Sequence, residues 1–361
     1  VTLILNNEEI EQILTMDLCL DILEHLYQEY GAGNTVDIPR CDATVPLGWE
    51  ESVYGLKTMS GVVPYLGKAA LRLNSDVIHW PTLRNIPRRV KIPAASGKKW
   101  VGLVLLFDMK TGEPLAILPD GVIQRMRVGA TNGLAARYLS RKDSKVLALI
   151  GSGWQAGTQA MAFCAVRDLE EIRVFSPDPN HRRSFCDGLE PWLKVKMIPQ
   201  ESAEEAVEGA DILAAATSSM VPVFKREWLR AGIHVSAIKK QEMSWDVVAG
   251  CQLFFLHTHR IASQTNYYME GSPGPQAEVE KGWWFERKEE IVVRKRFPDL
   301  GDLVTGRAPG RTRPDQITGF LNNIGLGIQF AAVGAKIYEM AREQGLGRSI
   351  PTDWLLQSVH P

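Results

Sequence analysis

The chain has 361 residues, of which 45% are hydrophobic and 23% charged, with 41 Lys and Arg against 42 Asp and Glu. This composition supports a buried core in one large or two ordinary domains and excludes disorder as the main state. A formal charge of -1 provides no global field to gather nucleic acid or anionic lipid, and five scattered cysteines without a CxxC pair imply neither a disulfide framework nor a structural zinc.

Taken in chain order, apolar residues spaced by threes and fours from Ile10 to Leu26 predict an amphipathic helix over Asn7 to Tyr30. From Asp42 to Leu118 short alternating runs cut by Gly and Pro predict a curved, largely antiparallel sheet. It ends in a hairpin of Val101 to Phe107 and Pro114 to Leu118 around Lys110-Thr111-Gly112. Val122 to Leu139 reads as a helix. From Lys145 to about His259 short β-branched runs (Val146 to Ile150, Ile172 to Phe175, Val195 to Ile198, Ile212 to Ala215, His234 to Ile238, Leu253 to Leu256) alternate with helical segments, the pattern of βαβ units and a parallel sheet. Ser263 to Pro314 reads as irregular, with Trp283-Trp284-Phe285 as loop packing or a pocket lining. A long helix from about Asp315 to Glu343 is expected to cross back to the first domain. No apolar run reaches the roughly 18 residues of a membrane span, and the reading is of a soluble, cytoplasmic protein.

The first strand of the alternating region runs into Gly151-Ser152-Gly153-Trp-Gln155-Ala156 and then an apolar helix. In this context a G-x-G-x-x-A turn binds a dinucleotide: Gly151 allows the tight turn, Gly153 lets the backbone approach the pyrophosphate, and Ala156 permits close helix packing. The second strand ends in Phe175-Ser176-Pro177, without the acid that binds the ribose 2′-hydroxyl of NAD. With Arg182 and Arg183 following, a 2′-phosphate is the better fit, so NADP(H) is favoured over NAD(H). His257 and His259, without a thiol or carboxylate close in sequence, imply no metal site.

Together with Arg125-Met-Arg127-Val-Gly-Ala-Thr131, Ala215-Ala-Thr217-Ser218-Ser219 and Gly306-Arg-Ala-Pro-Gly310-Arg-Thr, running on to Ile317-Thr318, this motif resembles the ornithine cyclodeaminase/mu-crystallin family over nearly the whole chain. The resemblance implies an α/β protein with two domains. One is a doubly wound Rossmann-type parallel-sheet domain over residues 129–315; the other is a discontinuous α+β domain, from residues 1–128 and 316–361, for substrate binding and homodimerisation. It also implies cofactor contacts at Thr131, Gly151, Ser152, Gly153, Gln155, Ala156, Ser176, Thr217, Ser218, Ser219, Ile238 and Asn323. Basic side chains that grip a substrate carboxylate fall at Arg40, Arg72 and Arg127.

Two departures from the family pattern narrow the chemistry. Arg72 stands where lysine is frequent, and an arginine anchors but does not donate protons at physiological pH. After the fifth strand, Lys239-Lys240-Gln241 occupies the place of the aspartate expected of a cyclodeaminase. Hydride transfer to or from a C=N bond of a small carboxylated substrate is then the expected chemistry, with Arg72, Lys57 and Lys240 as catalytic candidates. Lys68, Asp76 and Asp315 are weaker alternatives for the proton. The other functions compatible with the chain are binding of NADPH and a small ligand without turnover, and residual cyclodeamination. At Phe330 the family has an acid, so the role of that helix face is open.

Overall fold

The computed structural model describes residues 1–49, 52–259, 265–269 and 297–358. Trp283, Trp284 and Phe285 lie outside the described residues. The first domain opens with β1 (Thr2–Ile4), α1 (Asn7–Ile13) and α2 (Met16–Ala32). The single helix expected here is two. Leu14 is extended and Thr15 accepts the Leu18 amide at 3.2 Å as the N-cap of α2.

There follow β2 (Val36–Pro46), β3 (Val53–Val63), β4 (Lys68–His79), the short β5 (Thr82–Leu83), β6 (Ile86–Pro87) and β7 (Val90–Ile92), then β8 (Val101–Asp108), β9 (Pro114–Pro119) and α3 (Asp120–Leu139). β2, β3, β4, β8 and β9 are successive antiparallel neighbours, as expected. Along β4 buried and half-buried residues alternate from Ala70 to His79, so one face meets the core and the other stays open. The β8–β9 hairpin forms at the expected turn, where Gly112 is left-handed and Asp108 accepts the Lys110 amide at 2.9 Å. Helix α3 is buried on nearly all sides because it packs on α2 on one side and on α4 (Trp154–Val166) and strands of the second sheet on the other.

The second sheet takes β10 (Val146–Ile150), β11 (Glu171–Phe175), β12 (Lys196–Pro199), β13 (Ile212–Ala215), β14 (His234–Ala237) and β15 (Leu253–Leu256). Between them run α4, α5 (Pro179–Leu193), α6 (Ala203–Val207) and α7 (Trp245–Ala249). Two further strands pair across the expected boundaries. β16 (Thr265–Tyr268), inside the span expected to be Rossmann-type, pairs parallel with β2 of the first sheet. After α8 (Leu300–Val304), the segment read as the start of a helix at Asp315 instead forms β17 (Thr318–Leu321) between β14 and β15. The seven strands run in the order β12-β11-β10-β13-β14-β17-β15, all parallel, a doubly wound arrangement. The return to the first domain comes at α9 (Gly327–Gln344), followed by β18 (Arg348–Ile350), which pairs with β1. α9 lies against β3 at closest approach, where a Cβ on Gly61 would overlap the Ile328 backbone.

Hydrophobic clusters cover both faces of the parallel sheet, and a third, larger one joins α2, α3 and α9 to the buried face of the first sheet. Among the described residues no helix is long and apolar enough to cross a membrane.

Candidate active site

The glycine turn after β10 is built as its sequence requires. Gly151 has φ +119°, and a Cβ there would overlap Ala216 O at the end of β13. Gly153 caps α4, and the space where its Cβ would stand is open. The first amides of α4 are thus bare toward a cavity of about 660 Å³ at the carboxyl ends of β10, β11, β13 and β14. Orphan amides and the positive end of a helix dipole suit a pyrophosphate. Gln155 donates to Gln124 of α3 at 2.9 Å, and its Oε1 is buried without a partner. At the β11 end Ser152 Oγ bonds Ser176 Oγ at 2.8 Å and His181 Nδ1 at 2.7 Å. These features fit a bound dinucleotide.

One turn along α3 from Gln124 lies a second constellation, on the buried face of the first sheet. The register places Asp42 opposite Lys57, Lys57 opposite Asn74, and Met59 opposite Arg72, so Arg72, Asn74 and Asp76 share one face with Lys57. Arg72 donates through Nε to Asp120 at 2.8 Å, and Asn74 donates to the same carboxylate oxygen at 2.9 Å. Asp120 can reach them only because Gly102 lies between, where a Cβ would overlap its carboxylate. Arg127, 5% exposed, donates to Gln329 at 3.1 Å, and its Nε is buried without a partner. Gln329 in turn donates to Thr131 at 2.8 Å and accepts the Leu326 amide. Phe330 lies under both guanidiniums, 5.3 Å from that of Arg72 and 5.1 Å from that of Arg127. Arg40 is held by Asp42.

Lys57 donates to Asp76 at 2.7 Å, and Lys91 is paired with the same oxygen at 2.9 Å. Burial, and then the charge of Arg89, push the Lys57 ammonium down to about 7, with Asp76 opposing. Burial works to raise Asp76, but Lys91 and Lys57 outweigh it and keep the carboxyl below its usual range. Arg127 is lowered to about 10 by burial and by Arg72, which leaves it charged at neutral pH. Charge interactions link Arg40, Lys57, Arg72, Lys91 and Arg127 with Asp42, Asp76 and Asp120; of the buried cations Lys57 and Arg72 are paired with Asp76 and Asp120, whereas Arg127 is bonded to the neutral amide of Gln329. A buried guanidinium that meets an amide in place of a carboxylate, with its Nε unpartnered, suits this face to an anion.

The expected residues divide clearly. Gly151, Ser152, Gly153, Gln155, Ser176, Thr217, Ser218, Ser219 and Ile238 line the cavity, and Ala156 is buried behind it. Thr131 instead donates to Arg127 O and supports the cation cluster. Asn323 ties its loop to Thr258, bonding both its amide and its carbonyl. Neither lines the cavity. Arg182 is turned inward, donating to Ser176 O at 3.1 Å and paired with Glu201, while Arg183 is exposed on the next position of α5 and outside the cavity lining. Successive helix residues point about 100° apart, so two adjacent arginines do not share one target. Lys240 begins a short 3₁₀ turn and is not among the lining residues. The acid of that turn is Glu242, fully buried, which accepts from Thr217 Oγ1 at 2.8 Å and from the Ile238 amide at 3.1 Å. It fixes two strand-end loops and was not singled out from the sequence.

Lys68 pairs with Asp108 beside the β8–β9 turn, and Asp315 pairs with Arg313 at the surface. Gly325 and Gly327 precede or open α9 instead of interrupting a helix; a Cβ on Gly325 would stand 2.8 Å from the Arg127 guanidinium. His259 Nδ1, without an acid near it in sequence, lies 3.3 Å from Asp299 and 3.9 Å from Asp302, whose carboxylates cap α8.

The strand order, the left-handed glycine and the helix mouth define a Rossmann-type dinucleotide-binding domain, here joined to a mixed sheet that carries the cation cluster. The chain belongs to the ornithine cyclodeaminase/mu-crystallin family, whose model matches residues 90–345. It is 30% identical over 273 residues to Delta(1)-pyrroline-2-carboxylate reductase of Bacillus cereus, covering 73% of this chain and 78% of that one. Among solved structures it resembles the Thermococcus litoralis Delta(1)-pyrroline-2-carboxylate reductase in complex with NADH and L-proline, with a TM-score of 0.78, 25% identity, and 97% and 100% of the two chains covered. An archaeal alanine dehydrogenase dimer with bound NAD aligns with a TM-score of 0.75 and 27% identity over 97% and 99%. The relatives are thus imine and amino-acid oxidoreductases, and cyclodeaminases stand among them. The two solved relatives hold the cofactor without a 2′-phosphate, so a preference for NADP(H) has to come from this chain's own residues.

Proposed function

We propose that this protein is a homodimeric, nicotinamide-dependent oxidoreductase, with NADP(H) preferred, that moves a hydride to or from the carbon of a C=N bond in a small α-imino acid or the corresponding amino acid. The observation that carries this reading is the buried Arg127 guanidinium, bonded to neutral Gln329 with its Nε unpartnered, beside Arg72 and Lys57 on the sheet face next to the dinucleotide cavity. An anionic substrate is what such a face selects, and the relatives' substrates, a pyrroline carboxylate and alanine, each carry a carboxylate beside a carbon bonded to nitrogen.

When bound, the nicotinamide supplies or accepts the hydride. Positioning falls to this chain. Arg72 and Arg127 hold the substrate carboxylate through charge-assisted bonds, while Asp120 and Gln329 fix the far edges of their guanidiniums. Phe330 backs both and keeps water from that side. Lys57 Nζ, titrating near neutrality, gives a proton to the substrate nitrogen in reduction and takes it back in oxidation. Arg72 serves as an anchor.

The outer face of the first sheet supports the dimer: Val45, Leu56, Leu73, Val101, Leu103 and Leu105 stand there half-buried or exposed. A face this apolar is an association surface.

The test is spectrophotometric oxidation of NADPH with a panel of cyclic α-imino acids, and with pyruvate or glyoxylate plus ammonia. Turnover is expected with at least one carboxylated acceptor and is lost when its carboxylate is amidated. Tight NADPH binding without turnover of any of them would refute the oxidoreductase and leave a ligand-binding protein.

A further inference from the structure

One wall of the cavity is not supplied by the dinucleotide motif. Leu83, Arg84, Ile86 and Arg88 line it from the first domain. The first three belong to the β5–β6 hairpin, whose turn residues Arg84 and Asn85 have φ +52° and +62°, the left-handed pair of a type I′ turn, and Arg88 follows it directly. The hairpin bridges both halves of the cleft. At its tip the Arg84 guanidinium donates to Pro177 O, just past β11. At its base the Met220 amide donates to Pro87 O at 2.9 Å, the Arg89 amide to Ser218 O at 3.1 Å and Arg88 to Ser218 Oγ at 3.3 Å, just past β13. In a doubly wound domain the end of the second strand receives the adenosine ribose and the fourth strand lies toward the nicotinamide half. The hairpin therefore spans the length of the dinucleotide.

The ribose corner itself has Ser176 in place of the acid, and the hydrogen-bonded row of Ser176, Ser152 and His181. Neither helix arginine serves it, since Arg182 is turned inward and Arg183 outward. Asp178 is engaged in capping α5, and the Arg84 charge helps hold its carboxyl low. We propose that the β5–β6 hairpin is a strap over the cofactor in which Arg84, with Ser176 and His181, binds the 2′-phosphate of NADP(H). Selectivity for the phosphate is then set by the substrate-binding domain and not by the βα unit that carries the glycine motif. The bond to Pro177 O uses one of the five donors of the guanidinium and leaves the rest of its fork for phosphate oxygens. This inference rests on reading the cavity as a dinucleotide site.

The test is titration of the whole protein with NADPH, NADH, 2′,5′-ADP and 5′-AMP by calorimetry, for wild type, Arg84→Asn, Arg84→Lys and Arg183→Ala. Asparagine keeps the left-handed turn and removes the charge. Arg84→Asn is expected to weaken NADPH and 2′,5′-ADP by roughly tenfold to a hundredfold and to leave NADH and 5′-AMP within about twofold. Arg84→Lys retains most of the NADPH affinity, and Arg183→Ala changes nothing. Equal weakening of NADPH and NADH by Arg84→Asn, no weakening of either, or a wild-type preference for NADH overturns the proposal while the dinucleotide site stands. If none of the four ligands binds, the dinucleotide reading fails and the strap with it.

Discussion

Replacing Lys57 with methionine removes an ammonium of the cation cluster whose pKa lies near neutrality while keeping most of its volume. The side chain is 3% exposed and its pKa falls from 10.5 to about 7. That lowering costs the charged form on the order of 5 kcal/mol. The sign follows from proton counting. Between pH 7 and 10.5 the unfolded chain holds a proton on this lysine that the folded protein has released, so stability rises with pH across that window and the full cost applies below it. With the ammonium as the acid, as proposed, kcat/KM for imine reduction should be flat below pH 7 and fall about tenfold per unit above it, and amino-acid oxidation should show the opposite limb. Lys57→Met should lower the reduction rate by roughly 10² to 10⁴ and abolish the inflection. Asp76 keeps Lys91 at 2.9 Å, so no buried carboxylate is orphaned. Urea denaturation at several pH values should show the 7 to 10.5 slope flattened in the variant. A variant with wild-type rates, or with the inflection near pH 7 intact, refutes the assignment of Lys57 as the proton source.

Arg127→Met should reduce kcat/KM by about a hundredfold or more through loss of the carboxylate clamp, with NADPH affinity in calorimetry unchanged. Gly151→Ala forces a side chain into the left-handed region and onto Ala216 O, and dinucleotide binding should disappear from the same titration even where circular dichroism still reports a folded protein. Gly102→Ala expels the Asp120 carboxylate from Arg72 and Asn74; we expect a loss of roughly 2 to 4 kcal/mol in denaturant unfolding, and a ΔΔG under about 0.5 kcal/mol would contradict the packing described. Leu56→Asp with Leu103→Asp places charges on the open sheet face and should convert the dimer to a monomer by light scattering, whereas a wild-type protein already monomeric would remove the interface.

The parallel half of the molecule was legible because its signals are local. A β-branched run, a glycine turn and an apolar helix each announce themselves within a dozen residues, and the strands from Val146 to Leu256 fall where the pattern puts them. β17 was not legible: Thr318 to Leu321 is four residues long, and its strand character comes from lying between β14 and β15, far away in sequence. The division of α1 from α2 could have been read from Thr15, a residue suited to capping inside an otherwise continuous apolar pattern.

At the site, the alternation Arg72, Asn74, Asp76 could place all three on one strand face, and Lys57 was recognised as a possible acid. The partner that orients Arg72 could not be read so, since Asp120 lies 48 residues away and reaches it over a glycine on a third strand. Arg182 and Arg183 follow the ribose corner in sequence, but Arg182 is engaged by Ser176 O and Glu201 and neither lines the cavity. Sequence proximity to β11 says which residues are near the ribose and nothing of which way they face, while Arg84 arrives from a strand pair in the other domain.

The aromatic ring beneath Arg72 and Arg127 has a consequence for how the protein rests between turnovers. Phe330 attracts both guanidiniums through its π-face without neutralising either, so the local imbalance of charge is left standing where an acid would have cancelled part of it. On the proposed reading, small anions such as chloride, bicarbonate or phosphate are expected to compete with a carboxylate substrate for that charge. The apparent Michaelis constant for such a substrate would then rise with the anion concentration of the buffer, which inhibition kinetics with chloride would measure.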